Sequence, residues 1–122
     1  MNEKKDLGVW GEDRAARYLR LRGYRVLERN FRCRQGEIDI IARKGSFIVV
    51  VEVKLRKNAD HGEAREFVTY AKQRRVICAA EYWLVKNNCE LQPRFDVMEI
   101  YAPEGTGTLR PKIRHLENAF SY

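Results

Sequence analysis

Two carboxylates and an ammonium stand in this chain where apolar side chains are expected. Asp39 interrupts the run Gly36-Glu37-Ile38-Asp39-Ile40-Ile41-Ala42. Glu52 and Lys54 interrupt Phe47-Ile48-Val49-Val50-Val51-Glu52-Val53-Lys54. A charge inside such a run costs free energy unless something compensates it. A divalent cation is one such compensation, and hard carboxylate oxygens suit Mg²⁺ or Mn²⁺. A cation of this kind with an ammonium beside it is equipment for hydrolysing phosphate esters.

The two runs must lie side by side for these groups to meet. β-branched and aromatic residues dominate both, and Lys44-Gly45 between them signals a tight turn. A two-residue loop at Lys44-Gly45 places Arg43 opposite Ser46, Asp39 opposite Val50 and Glu37 opposite Glu52. Opposed residues share a face, as do residues two apart on one strand. Asp39, Glu52 and Lys54 then project from one side, with diagonal neighbours roughly 7–8 Å apart. A four-residue loop keeps that parity, whereas a three-residue loop reverses it for Asp39.

The surrounding pattern predicts a helix from near Asp6 to Arg22, stopped by Gly23, then a strand from Arg25 to Phe31 and the hairpin. A polar loop is expected over Lys57 to Gly62, with a helical segment starting near Glu63. Thr69 is placed to cap a longer helix reaching about Asn87, whose apolar stripe is Val76, Ile77, Ala80, Trp83 and Leu84. Pro93 precedes a strand from Arg94 to Tyr101, Gly105 and Gly107 mark a turn, and Lys112 to Leu116 reads as a last strand. The order is αβββαββ. The long helix is then a crossover that makes the third and fourth strands parallel. An α/β sandwich around a mixed sheet of about five strands follows. The 122 residues suit one domain spanning 1–122.

Composition narrows the function. No long apolar segment is present, so no membrane-spanning helix is expected. The first residues lack the apolar stretch of a secretory signal, and a cytoplasmic location is expected. Cys33, Cys78 and Cys89 are widely spaced and read as free thiols. The net charge is +7, from 24 basic and 17 acidic side chains. Residues 14–34 carry it all: Arg14, Arg17, Arg20, Arg22, Arg25, Arg29, Arg32 and Arg34 stand against Glu28 alone. A strip of arginines suggests a polyanion, nucleic acid first; a solvated helix face is the competing account.

The motifs Gly11-Glu12-Asp13 with Ala15-Ala16, Gly23-Tyr24, Asn30-Phe31-Arg32-Cys33-Arg34, Gly36-Glu37-Ile38-Asp39, Val51-Glu52-Val53-Lys54 with Arg56, and Lys72-Gln73-Arg74 run in order along most of the chain. They resemble the YraN family of uncharacterised bacterial proteins, in the PD-(D/E)XK nuclease superfamily with its restriction-endonuclease-like three-layer sandwich. Archaeal Holliday-junction resolvases are similar in layout. The signature's proline is replaced by Ile38.

The resemblance implies a Mg²⁺- or Mn²⁺-dependent endonuclease acting on nucleic acid, DNA in the first instance, including branched or repair intermediates. Asp39, Glu52 and the Val53 carbonyl would hold the metal, and Lys54 would orient the attacking water. Glu12 would touch the metal through water, and Gln73 would brace Lys54 or a phosphate. Arg29, Arg32, Arg34, Arg56, Lys72 and Arg74 would grip the backbone. Products would carry 5′-phosphate and 3′-hydroxyl ends.

Bland accounts compete for several of these. Glu12 suits the early turns of a helix, Gln73 can be a satisfied core amide, and Glu37 can be a strand-end residue. Asp96, on a later strand, reads as a structural partner for an arginine; His61 and His115 have no ligand partner at useful spacing. Trp10, Tyr82 and Trp83 read as core or interface residues. The functional alternatives are a non-catalytic nucleic-acid-binding module that keeps the fold, and an adaptor working through protein contacts. Junction-cutting relatives act as dimers, which leaves a homodimer open.

Overall fold

The computed structural model describes residues 3–57 and 68–122. Along the chain come α1 (Glu3–Leu21), β1 (Arg25–Cys33), β2 (Gly36–Lys44), β3 (Phe47–Arg56), α2 (Tyr70–Lys86), β4 (Gln92–Tyr101) and β5 (Lys112–Phe120). The order αβββαββ matches the expectation. A short 3-10 turn over Gly105–Gly107 lies between β4 and β5. The expected polar loop beyond Lys57 and the helical segment from Glu63 fall outside the described residues. Among those described, no helix is long and apolar enough to cross a membrane.

The five strands form one mixed sheet in the order β1-β2-β3-β4-β5. β3 and β4 are parallel, and the other neighbours are antiparallel. A parallel pair needs a crossover, and α2 lies in the one between β3 and β4. Val76, Ile77, Ala80 and Trp83 of α2 pack with Ile48, Val50, Phe95 and Val97 on one face of the sheet. Ala15, Ala16 and Leu19 of α1 pack with Val49, Val51, Met98 and Ile100 on the other. Continuous β-branched runs in β3 therefore bury both faces, as a central strand between two helical layers requires.

Both helices are ended by local chemistry. Gly23 adopts φ 85°, and Tyr24 N–H donates to the Leu19 carbonyl at 3.0 Å. That is a left-handed C-terminal cap, open to glycine at little cost. At the start of α2 the Thr69 hydroxyl accepts from Lys72 N–H at 3.2 Å. This satisfies one of the helix's four orphan donors.

The hairpin register differs from the expected one. Lys44 pairs with Phe47, and Ile40 with Val51. The loop is Gly45-Ser46, with Gly45 at φ 59°, rather than Lys44-Gly45. Every opposed pair moves by two positions, so side-chain parity survives and Asp39 comes level with Glu52 instead of Val50. The left-handed conformation selects the place: Gly45 takes it as the first loop residue.

A second departure sets the site. Ile38 packs in the α2 layer, yet Ile40, two residues on, packs in the α1 layer. On the paired strand, Phe31 faces α2 while Arg29 reaches α1 residues Glu12 and Asp13. Regular alternation keeps residues two apart on one face. Both strands therefore break alternation at the same level, at Asn30 and Asp39. Asn30 carries the break on β1 with φ 54°, a conformation asparagine accepts better than most residues.

Candidate active site

Asp39 sits at this break, where the β2–β3 ladder ends at Ile40 and Val51. Its Oδ2 accepts the Val53 backbone N–H at 2.8 Å. The carboxylate thus takes the place of a carbonyl in the ladder and lies between the two layers rather than on one face. From there its charge reaches Glu12 of α1 and Glu52 of β3, adding in each to the rise in pKa that burial causes first. The structure brings Asp39, Glu52, Lys54, Lys72 and Glu12 into one electrostatic cluster.

Glu52 points toward α2, and its side chain is 3% exposed. Its Oε2 lies 3.5 Å from Lys72 Nζ. Its Oε1 is buried with no hydrogen-bond partner. Burial first, and then the Asp39 charge, push the Glu52 carboxyl up to about 7, against the opposing pull of Lys72 and Lys54. Asp39 is raised as well: burial outweighs the Val53 hydrogen bond and the two lysines. Two ammonium groups match the pair's formal charge but do not offset its desolvation, the largest cause of both rises. Such an uncompensated cost clusters at functional sites.

A hard divalent cation fits that deficit. The donors are the two carboxylates, one with an orphaned oxygen. No group of three or more His, Cys, Asp or Glu side chains forms a metal cage among the described residues. Mg²⁺ does not need one, because it ordinarily keeps several waters and takes one or two carboxylates plus a phosphate oxygen. The Val53 N–H anchors Asp39; the metal contact expected of Val53 falls on a different atom, its carbonyl oxygen.

Glu12 is held at the site's other edge. Gly11 is buried, and a Cβ there would lie 2.7 Å from Leu55 Cδ2. Glycine lets α1 approach β3 closely enough to bring Glu12 to the cluster. Glu12 pairs with Arg29 at 3.6 Å, yet its Oε1 is buried without a hydrogen bond. Burial and then Asp39 raise its pKa, against Arg29 and Asn30. Gly36 plays a similar part at α2, where a Cβ would come within 3.0 Å of the Arg75 carbonyl.

The remaining expected residues divide. Gln73 donates its amide to the Val68 carbonyl at 2.9 Å, pinning the entry to α2. Arg29 is engaged by Asp13 at 2.8 Å. Arg56 bonds the buried Glu99 at 3.0 Å. Arg32 forms an exposed pair with Glu37 at 3.3 Å, the kind that exchanges partners readily. Arg34 and Arg74 are exposed. Arg32, Glu37, Lys72 and Arg75 line a cleft of about 330 Å³ beside the acid pair.

Two buried acids lie outside the cluster: Glu99, which escaped the sequence reading, and Asp96, which was expected to pair with an arginine. Glu99 takes Arg56 and the Tyr101 hydroxyl. Asp96 is bonded by Arg94 at 2.7 Å, as a structural arginine partner would be, and also by His115 at 2.7 Å and Asn118 N–H at 2.9 Å. Burial alone would raise the Asp96 pKa, but His115, Arg94 and the Asn118 N–H together hold it below the ordinary value. A single acid among apolar strand residues was the available signal for each. The aromatic expectation holds for Trp83, which is buried and donates to Glu28 at 2.8 Å.

Fold and site together define an α/β protein in which a buried glutamate and a half-buried aspartate meet at the parting of two central strands. The chain belongs to the uncharacterised protein family UPF0102, whose family model matches residues 11–100. It is 46% identical over 122 residues to a UPF0102 protein of Geobacter sulfurreducens, covering 98% of this chain and 91% of that one. A UPF0102 protein of Caldanaerobacter subterraneus is 42% identical over 118 residues, covering 96% of each chain. One from Geobacter metallireducens is 47% identical over 117 residues, covering 95% of this chain and 93% of its own. These names state a family and no activity.

Proposed function

We propose that this protein is a metal-dependent phosphodiester hydrolase acting on nucleic acid, DNA in the first instance. The observation that carries the reading is the orphaned Glu52 Oε1, buried beside Asp39 in a site whose two lysines do not offset the desolvation of the pair. A non-catalytic binding module has no need of buried acids held at raised pKa. Membership of the PD-(D/E)XK nuclease superfamily, suggested by the motif order, belongs to this proposal.

Asp39 and Glu52 would hold Mg²⁺ or Mn²⁺, which supplies positive charge to a phosphate oxygen and makes a bound water more acidic. The chain's own residues do the rest. The Val53 N–H fixes one Asp39 oxygen and leaves the other for the cation. Lys54, beside both acids, orients the attacking water and stabilises charge developing on the phosphate. Glu12 would touch the metal through a water at the α1 edge, held by the oxygen that pairs with Arg29 without hydrogen-bonding it. Lys72, Arg74 and Arg34 grip the flanking backbone, positioning it without reading bases. Arg32 joins them by exchanging Glu37 for a phosphate.

A cleavage panel of linear, flapped and four-way substrates tests this, run with Mg²⁺, with Mn²⁺ and with chelator. The expected result is metal-dependent cleavage of at least one substrate, lost in Asp39→Ala protein purified identically. Salt-sensitive binding with no cleavage of any substrate would instead identify a binding module.

A further inference from the structure

We infer that a second basic surface, on the α1 side of the sheet, binds a separate segment of nucleic acid from the one held at the acid pair. Arg14 and Arg17 of α1, Arg22 just past its end and Arg110 from the β4–β5 connection line a cleft of about 380 Å³ with Tyr18 and the exposed Leu109. The proposed phosphodiesterase reading uses none of them, and the inference rests on that reading only for the kind of polyanion.

The four arginines have no acidic partner among the described residues, unlike Arg29, Arg56 and Arg94. Two are held by aromatic rings instead. The Arg22 guanidinium lies 3.5 Å from the Tyr18 ring centroid, and the Arg14 guanidinium 5.3 Å from that of Trp10. Arg22 gives one donor to the Tyr18 carbonyl at 3.4 Å; the other edge donors of a guanidinium stacked on a ring face outward and match phosphate oxygens. From Arg14 to the end of α1 at Leu21 is seven residues, about 10 Å of helix, and Arg22 is the next residue. That matches about three phosphate steps of one duplex strand at roughly 3.4 Å each.

Geometry makes the segment a separate one. The cleft beside the acid pair is lined by α2 residues Lys72 and Arg75, on the opposite face of the sheet. Duplex DNA has a persistence length of about 50 nm, and bending even a 20–30 bp site by 40–90° costs of order 1–6 kcal/mol. One short duplex does not fold back around a domain of this size. Two arms of a branched molecule can reach both faces.

The test uses the full chain in chelator, so that binding is read without cleavage. Log affinity is measured against log salt for a short linear duplex and for a four-way junction with arms of the same sequence. Parent and Arg14→Gln/Arg17→Gln/Arg110→Gln proteins are compared, with matching melting curves as the folding control. Each lost phosphate contact lowers the slope by about 0.9. The triple variant is expected to lose about 2–3 slope units on the junction and under 1 on the linear duplex. Unchanged slopes on both probes overturn the inference, and so does an equal loss on both. Loss of binding to phosphatidylserine vesicles with nucleic-acid slopes intact overturns it too, in favour of a membrane surface. Absence of cleavage in the substrate panel removes the hydrolase reading and leaves these slopes untouched.

Discussion

Glu52→Gln should stabilise this protein at alkaline pH and do almost nothing at pH 4–5. The Glu52 carboxyl is raised from 4.5 to about 7 by burial and by Asp39. The folded state therefore binds a proton that the unfolded chain has already released. Between about pH 4.5 and pH 7 the native state carries the extra proton, so stability falls as pH rises through that window and levels off above it. A rise of this size corresponds to roughly 3 kcal/mol at the alkaline end. Replacing the acid by an amide removes that penalty, which is already net of the attraction of Lys72 at 3.5 Å. The gain at pH 8 should therefore be roughly 3 kcal/mol. Urea unfolding of both proteins at pH 5, 6, 7 and 8 measures it. Magnesium should raise the parent's midpoint at pH 8, because a ligand that binds only the native state stabilises it. It should leave Glu52→Gln unmoved. A variant less stable than the parent at pH 8, or a difference that does not vary with pH, would refute the account of a strained acid pair.

Other perturbations separate the parts. Lys54→Ala should abolish turnover while isothermal titration still detects divalent-cation uptake; a variant that cleaves as fast as the parent removes Lys54 from the mechanism. Asp96→Asn should cost about 3 kcal/mol at pH 7, because it leaves the half-buried Arg94 with only the exposed Glu117 at 3.7 Å as counter-charge. Because the Asp96 pKa is depressed in the fold, its stabilisation is present above about pH 4 and lost as pH falls through the lowered value. The parent, but not Asp96→Asn, should therefore lose stability steeply in acid unfolding below that pH. Gly11→Val should collide with Leu55, cost about 1–3 kcal/mol and depress activity beyond that of an equally destabilised core variant, since it also pushes Glu12 away. Thr69→Ala should cost about 1 kcal/mol by removing the α2 cap, with thermal melts as the readout.

The order of elements was legible because each strand and helix declares itself locally. The β3 run is too β-branched for a helix, and the α2 stripe has a helical period. Gly23 and Thr69 mark helix ends by chemistry that needs no tertiary partner. The acids at 39 and 52 were legible as exceptions to an apolar pattern. The hairpin register was not: loops at Lys44-Gly45 and Gly45-Ser46 both contain the glycine, and a two-residue slip leaves every side chain on its original face. The break in alternation at Asn30 and Asp39 was hidden as well, since a left-handed asparagine is chosen by its neighbours in space. Asp96 with His115, and Glu99 with Arg56, join strands whose pairing the sequence only ordered. A single histidine carries no mark of the acid it will face.

The break in alternation explains why this site can draw on both layers of the fold. In a regular strand, Asp39 would point either toward α1 or toward α2, and would meet either Glu12 or Glu52. Released from that choice, its carboxylate lies in the gap between β2 and β3, anchored by the Val53 N–H. Glu12 approaches from one layer and Glu52 with Lys72 from the other. The gap exists because the β2–β3 ladder stops at Ile40 and Val51. Open backbone donors at such a parting must be satisfied, and a carboxylate satisfies Val53 while keeping a second oxygen unspoken for. The same substitution of side chain for ladder that ends the pairing thus builds the acid pair. Its raised proton affinity follows from the burial on both sides that the two-layer packing requires.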